Sequence, residues 1–581
     1  MAEEKKGISE DWLALFLGLL IFILSTGVFW KADILGWGAG NNVWTDISKS
    51  TAPISKTFQP VKGDITKIDG QKVTIKKADG KEETLTVKED TSVMKPGDKY
   101  EKEGLSGLVS VILTYAFLLV LMGIGAVALR ANVGKFAVGF TIVFWISYGC
   151  WLLGHYAYIA ALEPEKMKIA WSLRLSPEAG FIIALLSGLI VGNFFPKLSE
   201  LLKEATRPEL YVKTAIVIMG AALGVKAAQQ MSLASAVIFR GLCAIVEAYL
   251  IYWAVVYYIA RKYFKFSKEW AAPLASGISI CGVSAAIATG GAIRARPIVP
   301  IMVSSLVVIF AVIELIVLPF MAQTFLWQEP MVAGAWMGLA VKTDGAAVTS
   351  GAITDSLIRA KALHDAGINY TDGWITMTAT TVKVFIDIFI GVWAFILAVV
   401  WCAKIECKPG EKVGVGEIWN RFPKFVLGYA ATFILMLLIC MTPSATITSA
   451  EKDIKAAKAD ITAAEKLIPA TTDAAALTDL NAKAAAAKDK IKGIEAQIKE
   501  PKAFISAATL STNESNVFRV MFFLLTFFTI GVVSNFKKLW EEGIGKLAAV
   551  YVLCLFGFII WVGLIISWIF FHGVKPPIIT G

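Results

Sequence analysis

Histidine is almost missing from this chain, with three scattered residues among 581. Cysteine is sparse as well. Cys402 and Cys407 have the spacing of a metal pair but lack two further ligands, so no metal site is expected. All the cysteines (Cys150, Cys243, Cys281, Cys402, Cys407, Cys440 and Cys554) lie in or beside apolar runs, none in the long polar segments, which excludes a disulfide framework. No G-x-x-x-x-G-K-[ST] phosphate loop occurs, so direct ATP drive within the chain is not expected. Charge is scarce too: 18% of residues are Asp, Glu, Lys or Arg, against about 25% in a soluble domain. That deficit points to lipid.

What the chain has in excess is apolar length. Hydrophobic residues make up 56% of it, gathered in runs long enough to cross a hydrocarbon core of about 30 Å. Thirteen candidate spans fall near 12–30, 106–129, 136–161, 179–195, 211–226, 234–260, 270–293, 299–325, 331–353, 374–402, 423–441, 517–536 and 546–571. The fold class expected is therefore an all-α polytopic membrane protein. The run at 12–30 is too long for a signal-peptide core and lacks a small-x-small cleavage site, so a retained signal anchor is expected over 1–30.

Threaded with the N-terminus cytoplasmic, the chain leaves its C-terminus outside and its basic loops mostly inside, as the positive-inside rule expects. Arg294, Arg296 and Arg359 are the exceptions. The net charge of +10 thus reads as an orientation signal, with no nucleic acid as partner.

Two polar insertions then fall outside. Residues 31–104 hold short alternating runs (DITKI, KVTIK, ETLTV) separated by Asp69-Gly70 and Asp79-Gly80, the signature of a small β-meander. Such a unit is too small to bury much of a core alone. Two additional spans fill 105–175. Residues 442–516 keep an apolar heptad spacing on both sides of Pro469, which predicts an antiparallel helical hairpin of coiled-coil type, closely packed through alanine. The rest, 176–441 and 517–581, would form the core.

Polar groups at membrane depth cost about 2.5–3.5 kcal/mol each on insertion scales, so each needs a reason. LASGISICGVSAAIATGGAI, in the seventh run, is rich in helix-weakening residues around Ser279, Cys281, Gly282 and Ser284. A discontinuous helix whose second half offers its amides to an anion would explain it, and so would a small-residue face for close packing. In the ninth run Lys342, Thr343 and Asp344 stand together. Lys342 and Asp344 are about 200° apart on a regular helix, so either one faces a neighbouring helix or the segment is unwound. Lys383 and Asp387 follow at i and i+4, able to neutralise each other, and Glu247 and Glu314 are single carboxylates in other spans.

From about Ser176 to the C-terminus, leaving out 442–516, the chain resembles the sulfate exporter family of bacterial ten-helix membrane proteins. The phrases that carry the resemblance are LSPEAGFIIALLSGLIVGN, KTAIVIMGAALGV, SGISICGVSAAIA, RFPKFVLGYAATFI and FFLLTFFTIGVVSNFKKL. SGISICGVSAAIA is similar to that family's glycine-flanked Ser-x-Cys-Gly-x-Ser-Ala signature. Where the family carries a His-Asp pair this chain has Lys342-Thr343-Asp344, and Lys383 matches a lysine of the family. The resemblance implies a carrier in the bacterial inner membrane with an inverted-repeat transporter core.

The expectation is a secondary transporter of a small anion such as sulfate or a sulfonate, and not an enzyme. Ser279, Cys281, Gly282, Ser284, Lys342, Thr343 and Lys383 would bind the substrate. Asp344, Asp387 and Glu314 would bind a coupling ion, H⁺ or Na⁺, with no cofactor. A Na⁺/H⁺-type antiporter of related fold and a non-transporting scaffold are the alternatives. Expected partners are the lipid bilayer, a second copy in a homodimer and a protein met by the outside segments.

Overall fold

An apolar run in lipid must satisfy its backbone internally, and helices dominate accordingly. A computed structural model describes residues 8–69, 72–76, 82–86, 94–296, 298–404, 416–467, 474–534 and 545–579. In chain order the helices are α1 (Glu10–Ser25), α2 (Gly107–Ala128), α3 (Val133–Gly154), α4 (Ala179–Phe194), α5 (Pro196–Leu202) and α6 (Pro208–Gln229). Then come α7 (Met231–Lys262), α8 (Lys268–Ser279), α9 (Ser284–Ala292), α10 (Ile298–Phe325), α11 (Pro330–Ala340) and α12 (Asp344–Ala366). The last are α13 (Trp374–Trp401), α14 (Phe425–Leu467), α15 (Ala474–Gln497), α16 (Lys499–Val533) and α17 (Gly545–Phe571).

Among the described residues, 10 helices are long and apolar enough to cross a membrane, and α4 with α5 makes an eleventh candidate bent by 114°. Pro196 sets that bend, since the residue before a proline is driven out of helical geometry. The two expected spans left over, 270–293 and 331–353, do not run straight through. Each folds back on itself.

In the first, Thr289 Oγ1 of α9 donates to Ser276 Oγ of α8 at 2.7 Å. At its base the Glu269 carboxylate accepts from the Arg296 backbone N–H at 2.8 Å and from Arg296 Nε at 3.0 Å. Both ends of this hairpin therefore lie together. In the second, a Cβ built on Gly334 or Gly338 of α11 would meet Ile375 O or Ala379 O at 2.6 Å, so α11 runs parallel to α13. Asp355 Oδ2 of α12 accepts from Ile375 N at 3.0 Å and Thr376 N at 3.3 Å, so α12 runs the other way. Hydropathy cannot distinguish one crossing from two half-crossings of the same total length, which is why both runs read as spans.

α10 ties the hairpins together. Its first turn packs Pro300 on Gly290 of α9, and Gln323 Nε2 near its far end donates to Leu357 O of α12 at 3.4 Å. The hairpins thus enter from opposite ends of α10, and their tips meet where Gly282 N donates to Lys342 O at 2.7 Å. Around this core, helices approach through small residues, as close packing in lipid requires. A Cβ on Gly188 of α4 would lie 2.0 Å from Phe528 O of α16, and one on Gly18 of α1 would lie 2.6 Å from the Val217 side chain of α6.

Against α2 and α3, β1 (Ala39–Asn41) pairs with β2 (Thr51–Pro53), with Ala39 N–H donating to Thr114 Oγ1 at 3.0 Å and Asn41 Nδ2 to Tyr148 OH at 3.1 Å. A second sheet, made from β3 (Val61–Asp69), β4 (Lys72–Lys76), β5 (Glu82–Thr86) and β6 (Lys99–Lys102), has the order β5-β4-β3-β6. The three alternating runs form its meander, and β6 returns beside β3, a pairing that alternation alone does not announce. Its core is Val61, Ile65, Val73, Ile75 and Tyr100. The helical arm differs from expectation in its boundary: α14 is a single 43-residue helix that leaves the apolar zone without a break. Lys488 meets Glu465 at 3.4 Å, which fixes α15 antiparallel to the end of α14, with Ala457, Ala464, Ala484 and Ala487 buried. Cys407, Gly70, Asp79, Gly80 and Pro469 lie outside the described residues.

In a cysteine-depleted background, Lys268→Cys and Arg296→Cys should react with an impermeant maleimide from one face of the membrane. Gln328→Cys and His364→Cys should react from the opposite face. Labelling of Lys268→Cys and Arg296→Cys from different faces would break the hairpin assignment.

Candidate functional site

Folding two helices back at membrane depth leaves four helix ends facing one another. These are the C-termini of α8 and α11 and the N-termini of α9 and α12. Each end carries unpaired backbone groups and half a macrodipole charge. The residues at the tips answer those demands. Lys383 Nζ of α13 donates to Ile280 O, past the end of α8, at 2.7 Å. Lys342 Nζ donates to Leu339 O in the last turn of α11. At the start of α12, Thr343 Oγ1 accepts from Ala346 N at 3.2 Å, a regular N-cap, and Asp344 adds a negative charge to the positive end.

Two polar clusters result. In the first, Asp344 Oδ1 accepts from Cys281 Sγ at 2.8 Å and lies 3.4 Å from Lys383 Nζ, which in turn lies 3.5 Å from Asp387 Oδ1. Cys281, Asp344 and Asp387 offer ligand atoms all within 4.8 Å of one another. Asp344 Oδ2, Asp387 Oδ1 and Ser279 Oγ have no hydrogen-bond partner among the described residues. Asp344, Lys383 and Asp387 are each 1% exposed, so one cation holds two carboxylates in a place that penalises every uncompensated charge.

The second cluster surrounds Lys342. Its backbone N–H donates to Glu314 Oε2 at 3.0 Å, and Tyr551 OH donates to Glu314 Oε1 at 2.6 Å. Its ammonium stands 4.6 Å from the centre of the Tyr252 ring. The Tyr252 hydroxyl sits between the Glu247 carboxylate and Ile559 O. Glu247–Tyr252 and Leu555–Ile559 are π-helical turns, irregularities that shift side chains by one position and recur at functional sites.

Two cavities approach the tips from opposite faces. One, about 430 Å³, lies on the side where the α8–α9 hairpin has its ends, and is lined by Asp11, Glu209, Lys213, Val283, Ser284 and Lys424 among others. Lys213 Nζ pairs there with Asp11 at 2.9 Å and Glu209 at 3.2 Å. The other, about 470 Å³, lies beside the α11–α12 hairpin, with Lys226, Arg359, Asp372 and Arg519 in its wall.

Most of the residues singled out in the sequence converge. Cys281, Gly282, Lys342, Thr343, Asp344, Lys383 and Asp387 stand at or against the tips, and Glu314 braces the second tip through Lys342 N. Ser279 closes α8, and Ser284 opens α9 facing the first cavity. Lys342 and Asp344 part company: the segment between α11 and α12 is unwound, yet the lysine turns to Tyr252 and the aspartate to Cys281 and Lys383. Tyr252, Tyr551, Glu209 and Lys213 were missed. Buried tyrosines are unremarkable in an apolar run, and Glu209 and Lys213 read as a loop and its flank. Their i, i+4 spacing was the one available signal.

The family model for "conserved hypothetical protein 698" matches residues 168–484. A UPF0324 membrane protein of Nitrosomonas europaea is 36% identical over 574 residues, 98% of this chain and 97% of its own. A protein of Archaeoglobus fulgidus is 48% identical over 202 residues, 35% of this chain and 88% of its own. A UPF0324 membrane protein of Nitratidesulfovibrio vulgaris is 33% identical over 312 residues, 53% of this chain and 47% of its own. No solved structure matches the chain.

Removing Lys383 leaves two buried carboxylates without their cation, a change worth about 3–5 kcal/mol. Lys383→Met should therefore lower the melting temperature of the detergent-purified protein sharply. Adding Asp387→Leu should restore part of the loss, so that the double variant loses less than the two singles combined. Additive losses would mean that the pair does not interact.

Proposed function

The chain belongs to the family described as conserved hypothetical protein 698, with relatives named as UPF0324 membrane proteins, and on that premise we propose that it is a secondary carrier of a small anion such as sulfate or a sulfonate. One observation carries the reading: a charged cluster buried where two re-entrant tips meet, between cavities that open to opposite faces. Backbone interrupted at membrane depth is tolerated where it lines a binding cavity, and it is costly anywhere else. The charges have the same cost, so a carrier gives both their reason.

In this reading the amides at the start of α9, with Ser284, meet the anion, and Lys383 supplies positive potential. Asp344 and Asp387 share Lys383, so a proton or Na⁺ on either carboxylate frees part of its charge for substrate. Glu247, buried beside the Tyr252 hydroxyl, gives a second place for a coupling proton.

The fold-back also bears on orientation. With the N-terminus cytoplasmic, the α8–α9 hairpin returns Arg294 and Arg296 to the inside beside Arg261, Lys262 and Lys268, leaving only Arg359 of the three exceptions outside. The C-terminus stays outside, because two hairpins remove two crossings. Hairpins of opposite entry, each followed by a long helix bearing charged partners (Glu314 on α10, Lys383 on α13), support an inverted repeat.

A second reading has its own observation. Cys281, Asp344 and Asp387 could share a cation within 4.8 Å of one another, which favours a cation/proton antiporter.

Flux of labelled sulfate into proteoliposomes, with and without pH and Na⁺ gradients, separates the two. The expected result is gradient-dependent sulfate flux that falls at least tenfold in Asp344→Asn while that variant still inserts and purifies as wild type. Proton movement on adding Na⁺, with no sulfate flux, would transfer the assignment to the antiporter. Undiminished flux in Asp344→Asn would remove that carboxylate from the mechanism.

A further inference from the structure

We infer that the cavity beside the α11–α12 hairpin is a distinct binding site for a small oxyanion or sulfonate, built around Arg519 of α16. Its substrate class rests on the carrier reading; its geometry does not.

The cavity holds about 470 Å³ and is walled by α6, α12, α13 and α16, with the loop at 371–373 across one side. Its charges are committed unequally. Lys226 Nζ lies 2.8 Å from Asp372 Oδ2 and donates to Asp372 O at 2.9 Å. Burial works against charge on Asp372, but Lys226 and Arg359 outweigh it and hold its pKa below the usual carboxylate value. Arg359 Nε donates to Asp355 Oδ1 at 2.7 Å, and the other oxygen of Asp355 caps the first turn of α13. Glu178 Oε2 accepts from Ser356 Oγ at 3.0 Å.

Arg519 is the exception. Its Nε donates to Asn516 Oδ1 at 2.6 Å, and its guanidinium stacks 5.2 Å from the Phe523 ring centre. Among the described residues it makes no ion pair. Asp355 and Asp372 are taken up by Arg359 and Lys226, Glu178 is held by the neutral Ser356 hydroxyl, and Nη1 of Arg519 makes only a weak contact with Met219 Sδ at 4.0 Å, so most of the guanidinium fork stays available to whatever enters. A guanidinium fork matches the paired oxygens of an oxyanion. The side-chain amides of Asn513, Asn516 and Gln229 in the same wall add neutral donors, which suit a hydrated anion better than an apolar ligand. The Asn516 amide is held by Arg519 through its oxygen, so its nitrogen is turned away from the guanidinium and free to donate.

The arrangement places this site on the face opposite the 430 Å³ cavity, beyond the hairpin tips, where an anion is held before or after passage. The tips and the cavity are then two sites on one route. They should differ in their residue requirements.

Sulfate and methanesulfonate, each titrated calorimetrically into the full-length protein in lipid nanodiscs with chloride as the control anion, test this. Arg519→Gln should weaken binding of at least one of the two at least tenfold, and Asn513→Ala, at an exposed cavity position, about threefold. Asp344→Asn should leave that binding within twofold. Preference for sulfate identifies an inorganic substrate and preference for methanesulfonate an organic one. Unchanged affinity in both Arg519→Gln and Asn513→Ala would overturn the site, as would loss in Asp344→Asn alone. Wild-type sulfate flux with no Arg519-dependent binding would sink this inference and leave the carrier standing. Arg519-dependent binding without any flux would do the reverse.

Discussion

One ammonium group holds the centre of this protein. Lys383 Nζ reaches the carbonyl of Ile280 and the carboxylates of Asp344 and Asp387. It donates to the carbonyl and stands at ion-pair distance from both carboxylates, so its three oxygen neighbours lie on three different elements. The α8–α9 turn, the start of α12 and α13 itself are joined by this single residue. Each partner would be expensive if left alone at that depth: a terminal carbonyl, and two carboxylates too close together to be charged without a cation. The hairpins can therefore dip to the middle of the apolar zone only because α13 brings the lysine there. Cys281 completes the arrangement from the other tip by donating to Asp344.

How much of this was legible in the residues varied with the kind of signal. Apolar length located the helices closely, and the glycine, serine and cysteine content of 276–291 marked a weak helix correctly. The same content does not say which way a chain goes after it weakens. Two half-crossings of α8 and α9 and one full crossing have the same hydropathy, and contacts such as Thr289 with Ser276 and Glu269 with Arg296 separate them. A trace of the answer was present, since Arg294 and Arg296 violated the charge rule that the other basic loops obeyed. At the site, charged residues in apolar runs were readable because lipid makes them conspicuous. Tyrosines were not, because their rings suit lipid and only their hydroxyls need partners.

The N-terminal helix shows a related limit. Read alone, 12–30 is an apolar run suited to anchoring. In the fold, α1 packs against α6 and α14, with Val217 beside both Gly18 and Gly428, and Asp11 at its start pairs with Lys213. Those contacts join it to the wall of the cavity that reaches Ser284. A segment whose composition suggests a tether thus contributes a charge to the approach to the tips.

The continuity of α14 gives the outer arm a mechanical property. From Phe425 to Leu467 it is 43 residues of helix, about 65 Å at 1.5 Å per residue, and roughly 39 Å of that lies beyond residue 441. No loop separates the part packed on α6 from the part that stands clear, although Pro443 removes one helix hydrogen bond at that junction. A tilt of about 10° where α14 meets α6 would swing the free end by about 7 Å, a little more than one helical turn. An arm continuous with a buried helix would turn small rotations at its root into larger displacements at its tip.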